Sequence, residues 1–112
     1  MQLRRAQTVK QTPTRRHARF LFSVPVMLRY LLPDGLRTTR GMSVDISEGG
    51  MAAVVQAGLH VGETVEINLA LPASPLHTLA IVRYVTGGRS GFEFLGLTPE
   101  QRSKISHATV AV

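Results

Sequence analysis

Two arginines stand four residues apart near the start of the chain, Arg15 and Arg19. A guanidinium group is a planar fork of N–H donors that fits phosphate oxygens or the O6/N7 edge of guanine. Two such groups on a pliable segment can fold around an anion. The spacing therefore indicates an anion-binding clamp, and the alternative is a pair of solvated charges that precede a strand.

An acidic, hydroxyl-bearing and glycine-rich segment follows at 45–50, with the sequence DISEGG. Asp45 and Ser47 are two residues apart, so on a strand both side chains would project to one surface. A carboxylate there could accept hydrogen bonds from the N1–H and N2–H₂ groups of guanine, and Gly50 would leave the backbone open to a ring or a phosphate. The alternative is an ordinary Asp/Ser turn whose glycines serve its geometry.

Other chemistry finds little support in the residues. The four histidines have neither metal-ligand spacing nor a cysteine partner. A hydrolytic triad of His17, Asp45 and Ser47 can be imagined, but Ser47 has no nucleophile-elbow context and nothing suggests an oxyanion hole. We therefore predict no catalytic residue, no metal site, no cofactor and no enzymatic activity.

The net charge of +6 is confined to one segment of the chain. Residues 1–19 hold six basic side chains and no acidic one, whereas the remaining residues hold seven of each. A nucleic-acid-binding domain usually spreads its cations over a face of the fold. Binding of nucleic acid or of an acidic protein through the basic arm remains the alternative function, and it would need exposed aromatic side chains for stacking. The chain has only six aromatics, most at core-like positions.

Length and composition predict one packed domain. The chain has 112 residues, 44% of them hydrophobic, and no cysteine, which favours a reducing cytoplasmic compartment. The first residues contain no apolar signal region, and no later stretch approaches the length of a membrane span. We expect a soluble cytoplasmic protein.

The elements that must carry these residues are mostly strands. Residues 1–14 are polar and basic and predict a flexible arm. Alternating apolar residues begin at Phe20, and Pro25 within that run indicates an edge position or a bulge. Six short strands separated by turns predict an all-β fold, a small antiparallel barrel or sandwich. They are expected near residues 20–30, 39–46, 51–55, 64–71, 79–85 and 91–95.

A short helix is predicted to close the chain, from about residue 98 to 108. Thr98 is suited to the N-cap, Pro99 to the first helical position, and Gln101 completes the spacing of a capping box.

Taken together, Arg15-x-x-x-Arg19 followed by Asp45-x-Ser47-x-x-Gly50 resembles the PilZ domain family of receptors for the bacterial second messenger cyclic di-GMP. The later strands and the closing Pro-Glu helix also resemble the family in order, so that the resemblance covers about residues 14–107. It implies a six-stranded antiparallel PilZ-type barrel over about 20–95, within a domain of residues 15–112. The implied function is a ligand-switched receptor or adaptor that engages a downstream protein partner.

The resemblance also implies a ligand site. The positions of Arg15 and Arg19 match those that contact guanine and phosphate in the family, and the turn matches the segment that holds the guanine base. Arg16 could stack on a base or reach a phosphate, and Thr14 leaves the number of bound ligand molecules open. The predicted contacts with cyclic di-GMP are Arg15, Arg16, Arg19, Asp45, Ser47, Gly49 and Gly50.

Overall fold

A computed structural model of the protein describes residues 19–110, and within them the chain forms seven strands and one helix. In chain order these are β1 (Phe20–Leu21), β2 (Pro25–Leu32), β3 (Gly35–Ile46), β4 (Gly50–Val55), β5 (Thr64–Leu69), β6 (Leu76–Thr86), β7 (Arg89–Leu95) and α1 (Pro99–Val110).

The strands form a closed antiparallel barrel. Their order in the sheet is β1, β3, β2, β5, β6, β7, β4, and a further pairing between β3 and β4 closes the ring. Six strands make the barrel, and β1 adds a short extra pairing to β3, with Leu21 opposite Asp45. The predicted all-β fold, a six-stranded antiparallel barrel with a C-terminal helix, is therefore confirmed.

The run predicted as one strand from Phe20 to Tyr30 is divided into β1 and β2. Pro25, which cannot donate to a ladder, is the first residue of β2. In the gap, the buried hydroxyl of Ser43 donates to the carbonyl of Phe22 and accepts the N–H of Val24 at 2.9 Å. The strand after Pro25 is not at an edge, because β2 pairs with β3 on one side and β5 on the other.

Alternating side chains of the strands fill the barrel. On β5, Val65, Ile67 and Leu69 are buried while Thr64 and Asn68 are exposed. The same alternation holds for Val26 and Leu28 on β2. The other fully buried large side chains are Ile46, Met51, Leu76, Val82 and Ile105, the last contributed by α1. The core is thus continuous from the strands to the helix that covers one end of the barrel.

The helix α1 begins at a reciprocal cap. The N–H of Gln101 donates to Oγ1 of Thr98 at 3.1 Å, and the N–H of Thr98 donates to Oε1 of Gln101 at 3.0 Å. The side-chain amide of Gln101 also donates to the carbonyl of His77 on β6 at 2.7 Å. No helix among residues 19–110 is long and apolar enough to cross a membrane.

Thr98→Ala should lower the free energy of unfolding by about 1 kcal/mol, because the first turn of α1 loses the acceptor for the Gln101 N–H. Urea denaturation followed by circular dichroism measures the change. Thr98→Ser keeps the hydroxyl and serves as the control, with an expected loss of less than about half that value. Equal losses in the two variants would show that the cap hydroxyl does not stabilise the helix.

Candidate ligand-binding site

A hydrogen-bonded turn joins β3 to β4 at the residues that the sequence singled out. The N–H of Ser47 donates to the carbonyl of Gly50 at 2.8 Å, which closes the turn. The Ser47 hydroxyl accepts the N–H groups of Gly49 at 3.1 Å and Gly50 at 3.3 Å. Ser47 is buried, so its side chain shapes the turn from within.

Asp45 lies on the outer surface of the barrel because of a bulge. The pairing register between β3 and β4 shifts between Ser43 and Asp45, which leaves Val44 as the extra residue. A bulge re-aims the side chains that follow it. Ser43 is buried, whereas Asp45 is partly exposed two positions later. Strand alternation from Asp45 to Ser47, on which the sequence argument for a shared surface depended, does not apply, because β3 ends at Ile46.

At Gly50 the backbones of two neighbouring strands approach each other closely. A Cβ atom at this position would lie 2.1 Å from the carbonyl oxygen of Phe92 on β7, far inside van der Waals contact, and the φ angle of Gly50 is not in the left-handed range. The space beside Gly50 is therefore occupied by the neighbouring strand. The residue permits the β4–β7 pairing, in which Gly50 stands opposite Glu93.

The two sequence motifs meet in an ion pair. Nη1 of Arg19 lies 2.9 Å from Oδ1 of Asp45, with 28% of the arginine side chain and 19% of the aspartate side chain exposed. The pairing of Leu21 with Asp45 holds this part of the chain against β3. Arg15 and Arg16 lie outside the described residues, so the structure places only the last arginine of the predicted clamp.

An open cavity of about 760 Å³ lies beside the turn and the ion pair. This volume is within the range of about 300–1,000 Å³ that small-molecule sites occupy. Arg19, Ser47, Glu48 and Gly49 line one part of the cavity. The other lining residues come from β6, β7, α1 and the connection between β7 and α1, and they are Arg83, Tyr84, Gly91, Phe92, Glu93, Phe94, Gly96, Leu97 and Arg102.

Two arginines outside the sequence motifs, Arg83 and Arg102, also line the cavity. Arg83 lies at a register shift between Val82 and Tyr84, and its Nη2 is 2.6 Å from Oε1 of Glu93. Arg102 of α1 donates from Nη1 to the carbonyl of Leu97 at 2.8 Å. Both guanidiniums therefore have partners at the cavity wall. Isolated arginines in a strand and a helix gave no signal of this convergence.

An aromatic ring closes one side of the cavity. Tyr84 lies over Gly91, where a Cβ atom would be 2.0 Å from a ring carbon. The two residues face each other across the β6–β7 ladder. A glycine opposite an aromatic residue in a predicted hairpin is a signal that could have indicated this contact. The exposed part of the ring offers a flat surface next to the three arginines.

The turn is also connected to the C-terminal helix. Oγ of Ser106 donates to Oε2 of Glu48 at 2.8 Å. Glu48 is thereby held at the cavity wall by a residue of α1. Among residues 19–110 there is no group of three or more histidine, aspartate or glutamate side chains that could hold a metal ion.

Comparisons with known proteins agree on the fold. A family model described as "PilZ domain" matches residues 13–111. The PilZ domain of CeSA from a cellulose-synthesizing bacterium is similar at 23% identity and a TM-score of 0.66, over 84% of this chain and 96% of that one. The PilZ domain of YcgR from Escherichia coli, solved with c-di-GMP, is similar at 23% identity and a TM-score of 0.68, over 88% and 90%.

A third similar structure is the inhibitor of motility MotI/DgrA from Bacillus subtilis, at 20% identity and a TM-score of 0.72. The match covers 91% of this chain and 52% of that protein. A search of curated protein sequences found no match.

Proposed function

The chain belongs to the PilZ domain family, and from this membership we propose that it is a receptor for cyclic di-GMP rather than an enzyme. The ligand would be bound between the arginines of the segment 15–19 and the turn that begins after Asp45. The similar YcgR domain was solved with c-di-GMP, which supports the choice of ligand. The observation that carries the proposal for this chain is the Arg19–Asp45 ion pair, because it joins both motifs beside a cavity of suitable size.

Each proposed contact has a chemical reason. The Asp45 carboxylate can accept from the N1–H and N2–H₂ groups of guanine, and Arg19 can donate to a phosphate or to the O6/N7 edge. Arg15 and Arg16 would add further guanidiniums from the arm. Gly49 lines the cavity and can meet the base with its backbone. For Ser47 and Gly50 the contacts favour a shaping role, since both hold the turn and its neighbouring strand in place.

Charge favours an arm that closes over the ligand. Cyclic di-GMP carries two phosphates, and the excess of +6 lies in residues 1–19. Association should therefore be steered by the arm and weakened by salt, which screens charges over about 10 Å at 0.1 M. Ordering of the arm over the ligand would create a new surface. We propose that a downstream protein binds this surface.

Titration calorimetry with cyclic di-GMP tests the proposal, and cyclic di-AMP is the matched control. The two ligands have the same ring and the same charges, but adenine lacks the N1–H and N2–H₂ donors that Asp45 would accept. We expect saturable binding of cyclic di-GMP that weakens as salt is raised, and affinity for cyclic di-AMP at least about tenfold lower. Absence of binding, or equal affinity for both ligands, would contradict the proposal.

Nucleic-acid binding through the basic arm is the second candidate, and the confinement of the positive charge to residues 1–19 is the observation that favours it. Such binding would need exposed aromatic side chains, and among residues 19–110 only Phe20 and Tyr84 offer them, with 44% and 39% of the residue exposed. Phe92 and Phe94 are buried in the core. A gel-shift assay with random oligonucleotides distinguishes the candidates. Tight binding without any response to cyclic di-GMP would favour the second.

A further inference from the structure

The hairpin of β2 and β3 extends beyond the barrel wall. β5 pairs with β2 only from Val26 to Arg29, and β4 pairs with β3 only from Gly41 onward. Residues 30–40 therefore have strand partners only within the hairpin itself. A hairpin with no further strand beside it is marginally stable in water. This projection lies toward the opposite end of β3 from Asp45: Leu36 is about 30 Å and Arg40 about 17 Å from Asp45 along the strand, at about 3.4 Å per residue.

One face of this hairpin combines exposed leucines with cations. Leu31 stands opposite Leu36, and their side chains are 72% and 53% exposed. Met27 stands opposite Arg40 on the same face, because residues two and four positions apart on a strand share a side. We call the set Met27, Arg29, Leu31, Leu36, Thr38 and Arg40 the outer hairpin face.

A groove of about 420 Å³ continues this face across the barrel wall. Its walls are mainly apolar and include Pro25, Met27, Ala70 and Pro75, with Arg40 at one side. Leu31 and Leu36 extend the apolar surface toward the tip of the hairpin. The groove is therefore suited to large apolar side chains of an extended segment.

Positive charge surrounds the groove. Arg40 makes no ion pair with any residue in the range 19–110. Lys104 donates from Nζ to the carbonyl of Pro75 at 3.1 Å, at the edge of the groove. Arg29 is 3.4 Å from Glu66, longer than the distance of about 2.7–2.9 Å typical of a charge-assisted hydrogen bond. Three basic side chains stand on or beside this surface, and the carboxylate of Glu66 neutralises only one of them. The surface therefore keeps a net positive charge.

We infer that the outer hairpin face and its groove dock an extended, acidic segment of a partner protein. Its apolar side chains would enter the groove and cover Leu31 and Leu36, while its carboxylates would face Arg40 and Lys104. A second copy of this chain fits less well, because two such faces would bring arginines against arginines. The inference does not depend on cyclic di-GMP binding, since the face lies away from the cavity beside the turn.

Nuclear magnetic resonance titration of the ¹⁵N-labelled full chain tests the inference with a short blocked peptide that alternates leucine with glutamate. Because the basic residues 1–19 would also attract this probe, binding is followed residue by residue. We expect shifts at the amides of Met27, Gly41 and Asn68. Arg40→Glu should lower the affinity for the leucine–glutamate peptide, measured from these shifts, by about tenfold or more. The variant should instead prefer the corresponding leucine–lysine peptide.

Arg37→Glu is the matched control. This variant makes the same change of charge in the same hairpin. Arg37 stands opposite Tyr30 in the strand register, and both side chains are on the face opposite to the outer hairpin face. Arg37→Glu should therefore leave the titration unchanged. Shifts confined to residues 1–19, or equal effects of Arg40→Glu and Arg37→Glu, would overturn the inference. A concentration-dependent dimer that is lost in Leu31→Ser/Leu36→Ser would assign the face to a second copy and overturn it as well.

Discussion

Asp45→Asn should weaken the binding of cyclic di-GMP by roughly ten- to a hundredfold. The asparagine keeps one oxygen acceptor but places an NH₂ donor where guanine also presents donors, and it removes the charge that holds Arg19 at 2.9 Å. A hydrogen bond to a charged group contributes about 1.5–3 kcal/mol, and each 1.4 kcal/mol changes affinity about tenfold. Titration calorimetry at constant salt measures the effect.

Asp34→Asn is the matched control for this change. Asp34 forms an ion pair of similar length with Arg37, 2.8 Å, but at the exposed tip of the β2–β3 hairpin. Its loss should leave the affinity unchanged, because surface pairs of this kind contribute little and the tip is remote from the cavity. If both variants bound the ligand like the unmodified protein, Asp45 would have no part in recognition.

Arg19→Ala should weaken binding to a similar extent, and the double variant with Asp45→Asn should lose less than the two single variants added together. The two side chains contact each other, so their contributions are coupled. Additive losses in this cycle would indicate that Arg19 and Asp45 contact the ligand independently.

Gly50→Ala should destabilise the fold by at least about 2 kcal/mol, toward the upper end of the cost of overpacking. The added Cβ would lie 2.1 Å from a backbone oxygen of β7, which cannot move aside as a flexible side chain could. For a domain of this size the midpoint of thermal unfolding should fall by about 10 °C. Differential scanning calorimetry measures both quantities.

Gly58→Ala provides the comparison. A Cβ atom at Gly58 would meet nothing within 4 Å, and its φ angle is not in the left-handed range. Its stability should change by no more than about 0.5 kcal/mol. Similar melting temperatures for the two variants would mean that β4 and β7 can separate at no cost, contrary to the close approach at Gly50.

The sequence carried most of the strand pattern and both motifs, because alternation and turn residues are local signals. Thr98 and Gln101 likewise predicted the start of α1. Pro25 indicated an irregularity in the first predicted strand, but not a complete break between β1 and β2, because the gap is stabilised by a hydroxyl about twenty positions away, that of Ser43. The orientation of Asp45 depends on the bulge at Val44, a property of strand pairing that the residues 43–45 do not encode visibly.

Only the part of the candidate site that belongs to the sequence motifs could be predicted. Asp45, Ser47 and the glycines belong to one short segment, so their spacing could be read directly. Arg83 and Arg102 reach the cavity from β6 and α1, which the folded barrel brings together. Proximity of this kind depends on register and on the docking of the helix, and no local pattern of residues reports it.

The last strand of the barrel ends at Leu95, but residues after Leu95 also line the cavity. Arg102 lines it from α1, and Ser106 of the same helix holds Glu48 at its wall. Arg19, at the other end, precedes the first strand. The shortest fragment that includes every barrel strand is therefore shorter than the shortest fragment that includes the whole cavity. A truncation chosen by the boundaries of the sheet would keep the scaffold and remove parts of the recognition surface from both ends.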